Sequence, residues 1–336
     1  MSLSKRLIST DAAGAADGSA NFDTVLYTGN GSTQSISSLS FAPDLVWIKL
    51  RSTSSSSSPH ALFDSIRGVN EILQSNVAAQ EVDLGSHGVS SFNSNGFTVS
   101  DVSGGNNAVN GAAGGTFSGD ANYVAWCWKG GGSAVSNTNG TIASTVSANA
   151  AAGFSIVKYS GNSTAGATVG HGLTSPQMVI IKCTSTNSTN WILYADALGN
   201  SNYLTPNQNV GEATFTNWFF SNATTFTLNQ TFGNANTSSR DYIAYCFSDV
   251  AGYQKIGSYN GSSSAVTVTT GFNPRWVLIK RSNLTNKDWV MFDQARSGGN
   301  DMNDFLVMNE ANAEFLNASD TKINGLSDGF SVNAGM

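Results

Sequence analysis

Charge is what this 336-residue chain has least of: Asp, Glu, Lys and Arg make up 11% of it, against about 25% in ordinary soluble domains. The 16 basic residues are outnumbered by 22 acidic ones, for a formal net charge of −6. That balance argues against nucleic acid as a partner, because non-specific binding needs clustered Lys and Arg. Cysteine is scarce too. Cys127, Cys183 and Cys246 are too few for a disulfide framework. No apolar run reaches the roughly 18 residues of a membrane span. Met1 to Ala20 holds Lys5 and Arg6 but lacks the apolar core of about 7 to 15 residues that marks a secretory signal. Residues 1–21 instead read as a small, polar N-terminal arm that orders only against a partner.

Ser, Thr, Asn and 35 glycines fill the space that charge leaves, and 18 Phe, 9 Tyr and 7 Trp supply an apolar payload that rules against disorder. The mixture suits an extracellular or particle-bound β protein with polar, uncharged loops.

One degenerate unit occurs three times. An aromatic-glycine turn opens it: Tyr27-Thr-Gly29, Tyr159-Ser-Gly161 and Tyr259-Asn-Gly261. A hydrophobic run closed by lysine follows, Pro43 to Lys49, Pro176 to Lys182 and Pro274 to Lys280. Then come His60-Ala-Leu-Phe63, Trp191-Ile-Leu-Tyr194 and Trp289-Val-Met-Phe292. Next is a Leu-x-x-Asn-x-x-x-x-Glu element, which is Leu73, Asn76, Glu81; then Leu204, Asn207, Glu212; then Leu306, Asn309, Glu314. Internal repetition of this kind marks repeated structural units. Asn95-Gly96 and Asp328-Gly329 signal tight turns, since glycine takes positive φ without steric cost; the second copy has Asn222-Ala-Thr-Thr there.

Copies one and two close with Tyr123-Val-Ala-Trp-Cys-Trp128 and Tyr242-Ile-Ala-Tyr-Cys-Phe247. The matching positions of Cys127 and Cys246 read as buried thiols. Opening to closing tyrosine spans 96 residues in copy one and 83 in copy two; either interval counted from Tyr259 passes Met336. The expectation is that a closing strand follows Met336 or comes from a neighbour, because a sheet edge left unpaired is a liability. The reading divides the chain into an arm (1–21), a first sandwich (22–133) and a flexible Ser/Ala/Asn/Gly-rich linker (134–152). A second sandwich (153–251) and an incomplete third (252–336) follow.

The apolar runs are short, branched and aromatic, as in strands buried on both faces. The expected fold class is all-β: tandem antiparallel β-sandwiches of jelly-roll or concanavalin-like type. One or two helical turns are expected at 76–80 and 310–315.

No recurring residue demands catalysis. His60, His87 and His171 show no metal-ligand spacing and do not recur between copies. No Gly-x-Ser-x-Gly or phosphate loop is present, so no catalytic, cofactor-binding or metal residue is assigned and no cofactor is implied. Glu81, Glu212 and Glu314 with Asp64, Asp196 and Asp293 would suit a glycosidase carboxylate pair. Their recurrence favours a scaffold role instead, each glutamate accepting backbone hydrogen bonds. Lys49, Lys182 and Lys280 are expected to snorkel to solvent. The polar loops 52–59, 104–115 and 200–209 are candidate sugar contacts.

The pattern Val25 to Gly31, Phe41 to Lys49 and Asn122 to Lys129 resembles repeat-bearing virion proteins of tailed phages, of the marine and cyanobacterial tail-fibre-like type. The resemblance covers nearly the whole chain after residue 21. It implies a non-enzymatic particle component, on the tail rather than the capsid, docked through its arm to other virion proteins. Host surface glycan is the implied ligand; no membrane insertion is expected, and a fibre would be a homotrimer. Two alternatives remain: a capsid-decoration or tail-scaffold protein contacting only virion proteins, and a glycan-active enzyme.

Overall fold

The computed structural model describes residues 18–52, 58–100, 109–112, 121–215, 219–228 and 235–334, and among them the chain is all-β, with antiparallel pairing throughout its named sheets. Of the N-terminal arm, residues 1–17 lie outside the described residues.

Unit 1 contributes β1 (Phe22–Thr28), β2 (Gln34–Ile36), β3 (Leu45–Leu50), β4 (Ala61–Asp64) and β5 (Gly68–Leu73). It continues with β6 (Val82–Asp83), β7 (Gly88–Asn93), β8 (Gly96–Ser100) and β9 (Asn122–Trp128). Unit 2 holds β10 (Val135–Asn137), β11 (Ser144–Asn149), β12 (Phe154–Ser160), β13 (Ala167–Gly170), β14 (Met178–Cys183) and β15 (Ile192–Ala195). Its remaining strands are β16 (Asn202–Tyr203), β17 (Ala213–Thr214), β18 (Phe219–Ser221), β19 (Thr225–Leu228) and β20 (Asp241–Phe247). Unit 3 supplies β21 (Val266–Thr269), β22 (Trp276–Lys280), β23 (Trp289–Asp293) and the one-turn helix α1 (Gln294–Ser297). After it come β24 (Asp301–Met302), β25 (Phe305–Val307), β26 (Ile323–Leu326) and β27 (Gly329–Val332).

In unit 1 the sheet β1-β9-β3-β4-β5-β6 faces a second sheet, β2-β8-β7. Val25, Val46, Phe63, Tyr123 and Cys127 from the first meet Ile36, Val89, Phe97 and Val99 from the second in one buried cluster. Unit 2 sets the sheet β10-β11-β12-β20-β14-β15 over β13-β19-β18. Unit 3 sets β22-β23-β25 over β21-β27-β26-β24, around Val277, Phe292, Ile323 and Phe330.

The period of two along a strand decides where the other face goes. Tyr123, Ala125 and Cys127 of β9 enter the sandwich interior. Val124, Trp126 and Trp128 point the opposite way, into a core shared by all three units. There they meet Ile156, Trp191 and Tyr245 of unit 2, with Trp289, Met291 and Leu306 of unit 3. This explains why the lysine-closed runs are apolar without alternation: β3 and β4 are buried at every position.

Two local expectations are corrected. The linker expected at 134–152 holds β10 and β11, which extend the unit 2 sheet by pairing with β12. Val146 of β11 is buried, as is Ala152 of the 3-10 turn Ala150–Ala152 that closes the segment. No helix forms at 76–80 or 310–315, because those backbones bond to neighbouring units instead. The turn glycines are required by close approach: a Cβ on Gly96 (φ +152°) would lie 1.8 Å from the Ile36 carbonyl oxygen, and one on Gly329 (φ +157°) 2.0 Å from that of Val268. In the second copy Asn222 turns the chain by accepting the Thr224 and Thr225 N–H groups, an Asx-type substitute for glycine.

Candidate functional site

The recurring residues converge on the seams between units. The segment after each Leu-x-x-Asn leaves its own unit and docks on the next. In the first seam Glu81 N–H donates to the Thr184 carbonyl (3.0 Å), and Thr189 N–H to that of Ala78 (3.2 Å). In the second, Glu212 N–H reaches Ser282 (2.6 Å) and Lys287 N–H reaches Asn209 (3.1 Å). In the third, Glu314 N–H reaches Arg51 (3.0 Å) and Ser58 N–H reaches Ala311 (3.2 Å). Unit 1 thus grips unit 2, unit 2 grips unit 3, and unit 3 grips unit 1: the ring closes. The conserved spacing of the Asn is explained within each unit. Asn76, Asn207 and Asn309 accept the backbone N–H of His60, Trp191 and Trp289, at 3.2, 2.9 and 2.8 Å.

The lysines do not snorkel. Lys49 and Lys182 are buried, and Lys280 is half-buried. Lys49 Nζ donates to the carbonyls of Leu50 (2.9 Å) and Ala311 across the seam (3.2 Å). Lys182 Nζ donates to the Cys183 and Thr189 carbonyls, and Lys280 Nζ to that of Lys287. Each cation staples the loop that follows its strand, or the segment docked there. Burial penalises the charge, lowering the pKa of Lys49 to about 7 and that of Lys182 to about 8.

The carboxylates engage arginines, not the backbone N–H groups expected for the glutamates. Arg67 bridges Asp64 and Glu81 (2.5 and 3.0 Å). Arg296 bridges Asp293 and Glu314 (2.5 and 2.7 Å), and the second oxygen of Glu314 takes Arg51 at 2.8 Å. A donor from another unit completes each aspartate: Tyr245 OH reaches Asp64 (2.8 Å) and Trp126 Nε1 reaches Asp293 (2.9 Å). Burial disfavours the Arg67 and Arg296 cations, yet their adjacent carboxylates hold both pKa values above the ordinary one. Unit 2 departs from this scheme. Ala195 and Leu198 occupy the Asp and Arg positions, Asp196 instead accepts Tyr194 OH, and Glu212 is exposed.

His60 sits where units 2 and 3 have Trp191 and Trp289. Its Nδ1 accepts from Trp47 Nε1 (2.9 Å), so Nε2 carries the proton toward the Val307 carbonyl at 3.0 Å. Burial, with Lys49 and Arg296 nearby, pushes its pKa well down. His171 is fixed likewise, Nδ1 accepting from Leu173 N–H and Nε2 facing the Asn222 carbonyl. Cys127, Cys183 and Cys246 are free and buried. Among the described residues no group of three or more His, Cys, Asp or Glu is placed to hold a metal ion, and no helix is long and apolar enough to cross a membrane.

The candidate sugar loops are partly structural. Ser58, Gln208 and Asn209 belong to seams, while residues 53–57, 104–108 and 113–115 lie outside the described residues. Asn110 is wholly buried, its backbone and side chain holding Gly31, Asn30 and Ser32. Asn236 does the same for 162–164 in unit 2. Sequence reading missed this pair and the arginine bridges. The recurring Phe-Asp-x-x-Arg of units 1 and 3 was the available signal for the bridges.

The sequence profile of a family described as a domain of unknown function (DUF7483) matches residues 17–335. No curated protein and no solved structure matches the chain.

Proposed function

The chain belongs to the DUF7483 family, and from that premise we propose that it is a non-enzymatic structural protein of a phage particle, built from jelly-roll-like sandwich repeats that display loops to host surface glycans. The observation carrying this reading is where the recurring chemistry goes. Asp64, Glu81, Asp293 and Glu314, the carboxylates a glycosidase would need, are bound by Arg67, Arg296 and Arg51 inside seams. A catalytic acid or base must reach a substrate proton, and these groups serve the ring. The virion assignment rests on the resemblance of the Tyr-Gly, Pro-to-Lys and Tyr-Ala-Cys motifs, and the polar, charge-poor composition of the chain supports it.

A scaffold that contacts only other virion proteins is favoured by one observation: Ser58, Asn110 and 207–209, parts of the candidate sugar loops, are used internally. Purified protein on a bacterial glycan array separates the readings. Saturable binding with unchanged glycan length supports attachment; binding to tail or capsid proteins with no glycan bound supports the scaffold. Shortening of a glycan, abolished in folded Glu81→Gln or Glu314→Gln variants, would sink both.

A further inference from the structure

A ring nitrogen bonds across each seam. Trp191 Nε1 of unit 2 donates to the Gln74 carbonyl of unit 1 (2.9 Å), and Trp289 Nε1 of unit 3 to the Gln208 carbonyl of unit 2 (3.2 Å). His60 of unit 1 serves the third seam, its Nε2 facing the Val307 carbonyl of unit 3 at 3.0 Å. Two joints thus use an indole, which is a donor and nothing else. The third uses an imidazole, the side chain that titrates near neutral pH.

The neighbouring residue changes with it. Counted back from the strand-end lysines, Trp47 of β3 stands where β14 has Ile180 and β22 has Leu278. Trp47 Nε1 donates to His60 Nδ1 at 2.9 Å, and the two rings meet edge-on with centroids 5.7 Å apart. His60 is 0% exposed and also stacks on Trp126. Both of its nitrogens are therefore committed, one as acceptor and one as donor, which is the pattern of the neutral ring alone.

A second proton has no place there. On Nδ1 it would point at the Trp47 N–H, replacing a hydrogen bond by two opposed donors. The charge would be buried beside two cations, Lys49 from β3 and Arg296 from α1, and burial itself already opposes it. The nearby carboxylates are engaged: Asp293 and Glu314 hold Arg296, and Glu314 also holds Arg51 further along the seam. The other buried histidine, His171, bonds Leu173 and Asn222 of its own unit, so its protonation acts within unit 2.

We propose that His60 is an acid-sensitive latch for one seam: a proton on its Nδ1 weakens the joint between units 3 and 1 and leaves the other two as they are. Opening moves the imidazole from a site that refuses the proton into water, where its pKa is the ordinary value of about 6.5. Opening therefore takes up one proton below that pH and becomes roughly tenfold easier with each further pH unit. Lys49 adds little in this window, because it is already charged below about 7. The weakened joint is the one that covers Trp126, so acid favours a ring opened at a single place with its aromatic core exposed.

Amide hydrogen exchange of the intact protein tests this from about pH 7.5 down to about 5.5, above the ordinary carboxylate range. After correction for the intrinsic pH dependence of exchange, protection of Ser58 and Glu314, whose N–H groups bond across this seam, should fall roughly tenfold over the last pH unit. Glu81 and Thr189 at the first seam, and Glu212 and Lys287 at the second, should keep theirs. The double variant Trp47→Leu with His60→Trp rebuilds the Leu278–Trp289 pair of unit 3 and should abolish the loss, as should His60→Gln. Equal losses at all three seams of the wild-type protein, or none at Ser58 and Glu314, would overturn the proposal. So would an undiminished loss in either variant once circular dichroism shows it folded.

Discussion

Arg296 Nη1 lies 2.7 Å from Glu314 Oε1, while Glu314 Oε2 takes Arg51 from the other end of the chain. One carboxylate thereby ties unit 3 to unit 1. The Arg296 and Glu314 side chains are 0% and 3% exposed, that of Arg51 18%, so removal of the two arginines should differ. Arg296→Met leaves the buried Asp293 without a cation and Glu314 with Arg51 alone, and should cost about 3–5 kcal/mol. Arg51→Met leaves Glu314 with Arg296 and should cost about 1 kcal/mol. Urea unfolding checks the ordering; equal losses would contradict it.

Lys49 should impose a pH dependence. Its pKa falls to about 7 in the folded protein through burial, against about 10.4 unfolded. Between those values the unfolded chain binds more protons, so stability should rise with pH from about 7 to 10. Lys182, at about 8, adds to the slope. Above pH 10 buried Tyr27, Tyr159 and Tyr245, whose pKa values are raised by burial, reverse the trend as the unfolded tyrosines ionise. Denaturation curves across pH 6.5–10 should show a shallower slope for Lys49→Met than for wild type.

Two glycines provide a matched contrast. Gly329 and Gly298 both have positive φ, but a Cβ meets the Val268 carbonyl at Gly329 and open space at Gly298. Gly298→Ala should cost only the backbone strain, about 1 kcal/mol. Gly329→Ala should cost clearly more, because β27 must separate from β21. Similar melting temperatures for the two variants would refute the close-approach argument.

Ala195→Asp restores the residue found in units 1 and 3 without its Arg or its aromatic donor. Ala195 is 8% exposed, and an unpaired carboxylate there should destabilise the protein by several kcal/mol. Adding Leu198→Arg should recover part of the loss, which a double-mutant cycle would measure.

The β class, the strand periodicity and the buried cysteines were legible because they follow from local pattern. The direction of the seams was not. Asn309 and Glu314 showed their spacing, but nothing in one copy says that Glu314 reports to Arg51, 263 residues away. Lys49 was misread for the same reason: a strand-end lysine normally reaches water, and here the docked segment around Ala311 takes that place. Asn110 escaped notice because it lies in a polar run of sequence in which no spacing sets one amide apart from the others.

The Lys49–Ala311 contact joins residues 262 apart, and this has a consequence in time. A chain emerging from its N-terminus exposes the apolar back of β9 until unit 3 arrives to cover Trp126. Such non-local closure should make folding slow and leave early intermediates sticky. Stopped-flow refolding monitored by tryptophan emission should therefore show a late phase, lost when Ser58 to Pro59 and Ala311 are altered to prevent docking. The ring is the last thing the molecule makes.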